Sequence, residues 1–447
     1  MAYLLDKNVL AFGNDCLSCD TLIEFYHNCA YRVSKINFTN ILGYEFYIGN
    51  QEKPSLTNGD YVISVSNKGI YVVAKGKKEL IHAYVTLLQK IVMQDDGSVV
   101  IEDCLIEHNS PIKRQMVFYG IAPETKLYEI ERFICTCGAL KYTHVVLEFW
   151  GSLKLDALKE LAWPNAYTKD QIKPIIKKAN DFGIEIIPAF PHWGHAASSM
   201  ISRGKHVVLD QNPSLDNYFT CYGWCWKIES EKVKALLRNV RKELIELCGD
   251  GEYFHICCDE AFGYKFESDS MKSFCSYING ISKELNELGR RAIMWGDMLV
   301  YHRKEFNPKN KYDAHSKSLE TEKFLLDSLD KQIIIADWQY ECPEYPIETS
   351  FVFKNAGFDV LVCPWDRGYE KAMACVNTAK DGLYGVMHTT WNTLKDGYPY
   401  LLFVANGCQG VKEIDHAHPY CQMAEIIRRA YFTDGDYLKS GWYEKQF

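Results

Sequence analysis

Nowhere does the sequence carry a basic run long enough to neutralise several phosphates. Its 58 acidic side chains outnumber 50 basic ones, giving a net charge of -8, and its densest group, Lys75-Gly76-Lys77-Lys78-Glu79, reads as solvated surface. That balance argues against a nucleic-acid partner. Also missing is any stretch of about 18 consecutive apolar residues, so no membrane-spanning helix is expected. The opening residues, Met1-Ala2-Tyr3-Leu4-Leu5-Asp6-Lys7, lack the basic start and apolar segment of an export signal. A protein that works in the cytoplasm, with no membrane partner, is therefore expected. Zinc half-sites are incomplete: Cys16-Leu17-Ser18-Cys19 and Cys135-Thr136-Cys137 each lack a second pair nearby. The seventeen cysteines are scattered and odd in number, which fits reduced thiols packed as small hydrophobes better than disulfides. No metal and no organic cofactor are expected.

Aromatic residues, in contrast, are plentiful. They make up 14% of a chain that is 47% hydrophobic, with 29 Tyr and 10 Trp among 447 residues. Such a chain can bury a large core spread over two or three domains. Residues 1–110 mix strand and helix signals. Tyr61–Ser66 and Ile70–Ala74 flank a glycine-bearing turn and read as a hairpin, a helical stretch follows over Glu79–Val92, and Val99–Ile106 can pair back. This region is expected to be a small α+β accessory domain without a catalytic constellation.

From residue 111 to 447 the pattern becomes strand, helix, strand, helix. Short apolar runs fall at Met116–Tyr119, His144–Glu148, Ile184–Pro188, Tyr253–Ile256, Ala292–Trp295, Gln332–Ala336, Phe358–Val362 and Leu383–Met387. Between them lie helical patterns such as the capping box Thr168-Lys169-Asp170-Gln171 and the periodic stretch Glu231–Leu247. Pro174, inside the first of these, predicts a kink. Eight such units predict a (β/α)8 barrel, an α/β fold of TIM type, with its site at the carboxyl ends of the strands.

The strand ends carry the chemistry. The fourth run leads into Asp259-Glu260, the second ends in Glu148, the third runs into His192-Trp193-Gly194-His195, and the later ones reach Trp295-Gly296-Asp297, Trp338-Gln339-Tyr340, Trp365-Asp366 and Trp391-Asn392. Tryptophans at matching positions converge on one pocket and offer apolar walls to a sugar ring while carboxylates bind its hydroxyls. Two adjacent acids in different environments are what glycosidic cleavage needs: one to donate a proton to the leaving oxygen, one ionised against developing positive charge.

His255-Ile256-Cys257-Cys258-Asp259-Glu260 resembles the His-x-Gly-Gly-Asp-Glu signature of glycoside hydrolase family 20, the β-N-acetylhexosaminidases. Ile186 to His195, Trp295-Gly296-Asp297-Met298 and Trp391 are similar to its other strand-end segments, and residues 1–110, Gln89 included, resemble its accessory domain. The resemblance implies a retaining exo-hydrolase of terminal GlcNAc or GalNAc on a small or oligomeric saccharide. Glu260 would be the acid/base and Asp259 the stabiliser of the substrate's own attacking 2-acetamido group. It also implies substrate-binding roles for Arg114, Glu148, His195, His255, Trp295, Trp338, Tyr340, Asp366 and Trp391. The end of the seventh run, Cys363-Pro364-Trp365-Asp366, offers no second Glu as protein nucleophile. The sequence departs from the family in Cys257 and Cys258, in the absence of a tyrosine just before Asp366, for which Tyr340 is the substitute, and in Thr393 after Trp391. A glycosidase of other specificity, with Glu148 or Asp366 as partner carboxylate, and a sugar-binding pseudoenzyme remain as alternatives.

Overall fold

Eight parallel strands, each paired with the next and the last with the first, close a barrel. They are β1 (Gln115–Gly120), β2 (His144–Glu148), β3 (Glu185–Ala189), β4 (Tyr253–Cys257), β5 (Arg291–Trp295), β6 (Ile334–Trp338), β7 (Asp359–Cys363) and β8 (Gly385–Thr390). The structure is a computed structural model, and it describes residues 2–5, 10–12, 35–38, 44–93, 99–197, 213–220, 223–391 and 394–411. Cys16, Cys19, Asn392 and Thr393 lie outside them.

Strand residues are buried on both faces because helices cover the outside and side chains fill the inside. Met116 and Phe118 of β1 point inward with Val146, Ile187, Ile293, Ile334, Ala336, Leu361 and Met387. Val117 and Tyr119 alternate outward against the helical layer, where Ile130, Phe133, Ile176 and Leu237 pack. The helix after β2, Lys169–Asp181, starts on Thr168, whose hydroxyl accepts from the Gln171 N–H while the Gln171 side chain accepts from the Thr168 N–H at 2.9 Å. It runs through Pro174 as one element. The helix before β4 spans Glu231–Cys248 and buries Val233, Leu237, Val240 and Leu244 on its barrel side.

The sixth strand begins two residues later than its apolar run suggests. Asp330 forms a turn, its carboxylate accepting from the Gln332 N–H (3.0 Å) and its carbonyl from Ile333 (3.1 Å), so pairing starts at Ile334 and Trp338 becomes the inward-facing last residue.

Ahead of the barrel, Glu45–Gly49, Gly69–Ala74, Tyr61–Ser66 and Cys104–His108 form a four-stranded antiparallel sheet in that order. The hairpin turn is the two residues between Ser66 and Gly69. The helix Lys77–Gln89 packs on this sheet and stops three residues short of the expected Val92, because Ile91–Met93 joins a second sheet with Val99–Glu102 and Ala2–Leu5. Gln89 donates to the Ala139 carbonyl (3.0 Å) and Ser110 to the Cys408 carbonyl (3.0 Å), tying this region to the barrel.

Candidate active site

The backbone that leaves β4 is bent into conformations that side chains seldom adopt. Cys257 (φ 56°), Cys258 (φ 76°) and Glu260 (φ 42°) are left-handed, and the pairing with β5 slips between His255 and Cys257. Each left-handed non-glycine residue costs about 1–2 kcal/mol, which is why a residue without Cβ suits these positions. The two cysteines occupy them nonetheless. The Cys258 thiol, fully buried, donates to the Ile256 carbonyl (3.3 Å), and Cys257 forms part of the cleft wall. The result of the bend is that Asp259 and Glu260, though adjacent, both reach the cleft.

The loop after β3 packs directly on this bend. His192 donates its N–H to the Ile256 carbonyl (3.0 Å), and a Cβ on Gly194 would sit 1.9 Å from the Asp259 carbonyl oxygen, so only glycine fits there. The next residue, His195 (φ 52°), then places Nε2 3.0 Å from Glu260 Oε2 and 3.5 Å from Asp259 Oδ2. Its ring lies 4.9 Å from Trp224, whose indole N–H donates to the Glu260 carbonyl.

From β5 comes a positioning carboxylate. Asp297, 1% exposed, accepts the Glu260 backbone N–H at Oδ2 (2.9 Å) and the Trp338 indole N–H at Oδ1 (3.2 Å). Burial, reinforced by the charge of Asp259, pushes its carboxyl well above the usual range. Asp259 is likewise pushed up by burial; His195 opposes the rise and Glu260 adds to it. A ligand fragment that developed positive charge beside Asp259 would reverse that preference and favour the carboxylate.

Aromatic rings wall the remainder. Phe118, Trp295 and Trp391 cluster with centroids 4.7–5.6 Å apart, and Tyr340 bridges Trp338 (5.1 Å) and Trp365 (5.0 Å). The Trp391 indole donates to the Tyr340 hydroxyl at 2.7 Å. Glu148, 4% exposed, Pro191 and Arg367 complete the lining. The cleft encloses about 230 Å³, below the roughly 300–1,000 Å³ of pockets for drug-sized ligands, and so suits about one sugar ring.

Among the residues singled out from sequence, Glu148, His195, Asp259, Glu260, Trp295, Trp338, Tyr340 and Trp391 converge on this cleft. Arg114 does not. It precedes β1, its Nε donates to the Tyr253 hydroxyl (3.0 Å) and its guanidinium lies 3.9 Å over Tyr384, at the amino ends of the strands and the opposite mouth of the barrel. A residue ahead of a barrel strand cannot reach the carboxyl end of that strand, so its expected sugar contact is corrected. His255 is also displaced from the expected role. Its ring is fully buried, 4.5 Å from Trp295 and 5.6 Å from Phe118, and its Nδ1 accepts the Cys257 N–H (3.0 Å). It lies below the lining, and burial lowers its pKa to about 3. Asp366 is half-buried and outside the lining, while its neighbours Trp365 and Arg367 face the cleft, with the Arg367 guanidinium 3.9 Å over the Trp365 ring. Arg367, Phe118 and Asp297 were not singled out as contacts. Inward alternation along β1 marks Phe118; nothing local marks Arg367.

The comparisons with known proteins agree with this fold. A lacto-N-biosidase of Bifidobacterium bifidum is 25% identical over 250 residues, 51% of this chain; the chain spans only a fifth of that relative's length. The chitobiase of Flavobacterium johnsoniae superposes with TM-score 0.70 at 16% identity, covering 96% of this chain and 70% of that one. An N-acetyl-β-hexosaminidase of Streptomyces plicatus gives TM-score 0.66 at 15% identity, covering 95% and 93%. At such identities these two likenesses speak to the fold alone. The profile described as glycosyl hydrolase family 20, catalytic domain, matches residues 143–405, well over half of the sequence, and the chain belongs to that family.

Proposed function

We propose that this protein is a retaining exo-β-N-acetylhexosaminidase that removes terminal β-linked GlcNAc or GalNAc by substrate-assisted catalysis. The observation that carries the reading is the His195-bridged pair Asp259 and Glu260 in an indole-walled cleft of one-sugar size. Glu260 donates a proton to the leaving oxygen as the acetamido carbonyl oxygen attacks the anomeric carbon and the glycosidic bond breaks. Asp259 accepts the acetamido N–H and balances the positive charge of the cyclised intermediate. Glu260, now a carboxylate, takes a proton from the water that opens this intermediate, so the product keeps the β configuration. Tyr340, oriented by Trp391, is the candidate donor to the acetamido oxygen. Trp295, Trp338 and Trp391 pack on sugar and methyl surfaces, and Glu148 binds a hydroxyl.

The region up to about residue 110 is proposed as an accessory domain and residues 111–447 as the catalytic one. Cys248, Cys258, Cys363, Cys375 and Cys408 are buried thiols outside any disulfide, which supports a reducing, cytoplasmic setting. Among those residues no helix is long and apolar enough to cross a membrane.

A panel of aryl β-glycosides tests the proposal: GlcNAc, GalNAc and glucose bearing one leaving group. Turnover of the two acetamido sugars with none of the glucoside is expected. Equal turnover of the glucoside would replace this reading with one in which Glu148 is the partner carboxylate. Binding of GlcNAc without turnover of any member would make the protein a sugar-binding pseudoenzyme.

A further inference from the structure

A second cavity lies at the other mouth of the barrel, between the N-terminal sheet and the amino ends of the barrel strands. It encloses about 350 Å³ and is lined by Lys75, Lys78, Lys113 and Lys141, by His82 and His108, and by Asp60 and Glu79 as the acids. In a chain of net charge -8 that is a concentrated positive surface. The acids are already engaged. Asp60 accepts from Lys113 (2.7 Å) and from the Ser110 N–H (2.7 Å), and Glu79 lies 3.7 Å from Lys78. Among the described residues, Lys75 and Lys141 have no carboxylate within ion-pair distance.

Lys141 is the most telling of these groups. Among the described residues its ammonium meets only the Thr86 hydroxyl, at 3.2 Å, and burial, aided by Lys90, pulls its pKa to about 8. Its backbone is left-handed (φ 62°), a conformation that glycine would hold without strain. Five of the six left-handed non-glycine residues among those described, Trp150, His195, Cys257, Cys258 and Glu260, end or follow barrel strands at the catalytic mouth; Lys141 is the sixth. Strained residues of this kind gather at ligand sites. Beside it, His82 Nε2 is buried without a hydrogen-bond partner. Burial also lowers His82 and brings His108 to about 4, so both imidazoles are neutral near pH 7 and leave the charge to the lysines.

We propose that this cavity binds a small oxyanion-bearing molecule, a phosphate or sulfate ester of roughly monosaccharide size, through Lys75, Lys141 and the His82 ring. Such a ligand would satisfy the unpaired ammonium groups and bridge the two parts of the chain, since Lys75 and His82 belong to the N-terminal region and Lys141 to the loop before β2. Its effect would be on stability and not on bond cleavage, which takes place at the opposite mouth.

Calorimetric titration and thermal denaturation of the full chain test this, with inorganic phosphate, inorganic sulfate and glucose 6-phosphate as separate probes. Ionic strength is matched throughout with sodium chloride. At least one probe is expected to give saturable heat and a saturable rise in Tm. Proton uptake should accompany binding at pH 8, as the anion returns Lys141 to its charged form. Lys141→Gln and Lys75→Gln should each weaken binding by about tenfold. Lys75 is exposed, so its variant folds even where that of Lys141 does not. Phosphate and ester binding without sulfate would assign the ligand as a phosphate, and the converse as a sulfate. No saturable response to any probe, or the same response in Lys75→Gln as in the unaltered protein, would overturn the proposal.

Discussion

The two mouths of the barrel are built from the same strands yet treat charge in opposite ways. At the amino ends, outside the lysine-lined cavity, polar groups are turned on one another. Arg114 meets Tyr253 and Tyr384, Arg290 donates to the Tyr253 carbonyl (2.8 Å), and Glu185 accepts the Glu252 N–H (2.8 Å). At the carboxyl ends, Glu148, Asp259 and Glu260 line an aromatic bowl, with His195 beside Asp259 and Glu260 and with Asp297 accepting the Glu260 N–H. Among the described residues, left-handed backbone at positions other than glycine is concentrated at that mouth too. The difference teaches that, on the proposed function, this fold places stability at one mouth and reactivity at the other, and that the carboxyl mouth holds its acids at a cost in strain and burial.

Substitutions at the two mouths should therefore separate turnover from stability. The largest effect is expected for Glu260→Gln, which keeps the shape and removes the proton donor. Its kcat on an aryl β-N-acetylglucosaminide should fall by about 10²–10⁴ with Tm unchanged. Next comes Tyr340→Phe, which deletes one hydroxyl beside Trp391. A drop of about 10²-fold in kcat/KM, with little change in Tm, is expected if that hydroxyl donates to the acetamido oxygen.

At the amino mouth the readout changes to stability. Burial raises Glu185 to about 7, against an unfolded value near 4.3; the Glu252 N–H and Arg290 only partly oppose it. His144, 3.7 Å away, is itself lowered by burial to about 3 and so supplies no compensating cation near neutral pH. The folded state thus holds this proton more tightly than the unfolded state. Its contribution is full below about pH 4 and is lost as pH rises through 7. Glu185→Gln should flatten that slope and raise stability at pH 8 by about 1–3 kcal/mol in denaturant titrations, leaving turnover intact. The smallest effect is expected for Arg114→Met. Losing one hydrogen bond and one cation–π contact should cost about 1–2 kcal/mol of stability, while kcat/KM is unchanged. A loss of substrate affinity in that variant would break the contrast between the mouths.

The barrel was legible because its strands are buried on both faces, and each therefore stands out as an apolar run ending near a charged or aromatic residue. Boundaries slipped where local turn chemistry decided them, as at Asp330 before β6. The cleft was legible at candidates that end a strand, as Glu148 and Trp295 do, or come within three residues of its end, as Glu260 and Trp391 do. It was misread at Arg114 because an apolar run does not show which side of it faces the site. His255 was misplaced by a layer, since alternation puts it inside the barrel without giving its depth. The cysteines at the end of β4 read only as a departure from the family signature; the left-handed φ of Cys257 and Cys258, which explains why that signature favours glycine, is visible only in the folded backbone.

The central claim is that the ligand's own acetamido oxygen attacks, and fluorination of that group tests it most directly. Aryl glycosides whose N-acetyl methyl carries none, one, two or three fluorine atoms differ chiefly in the nucleophilicity of the carbonyl oxygen. A stepwise fall in kcat/KM along the series is predicted, steepest for the trifluoro member. Rates that stay level from the first compound to the last would contradict it and return Glu148 to consideration as a protein nucleophile.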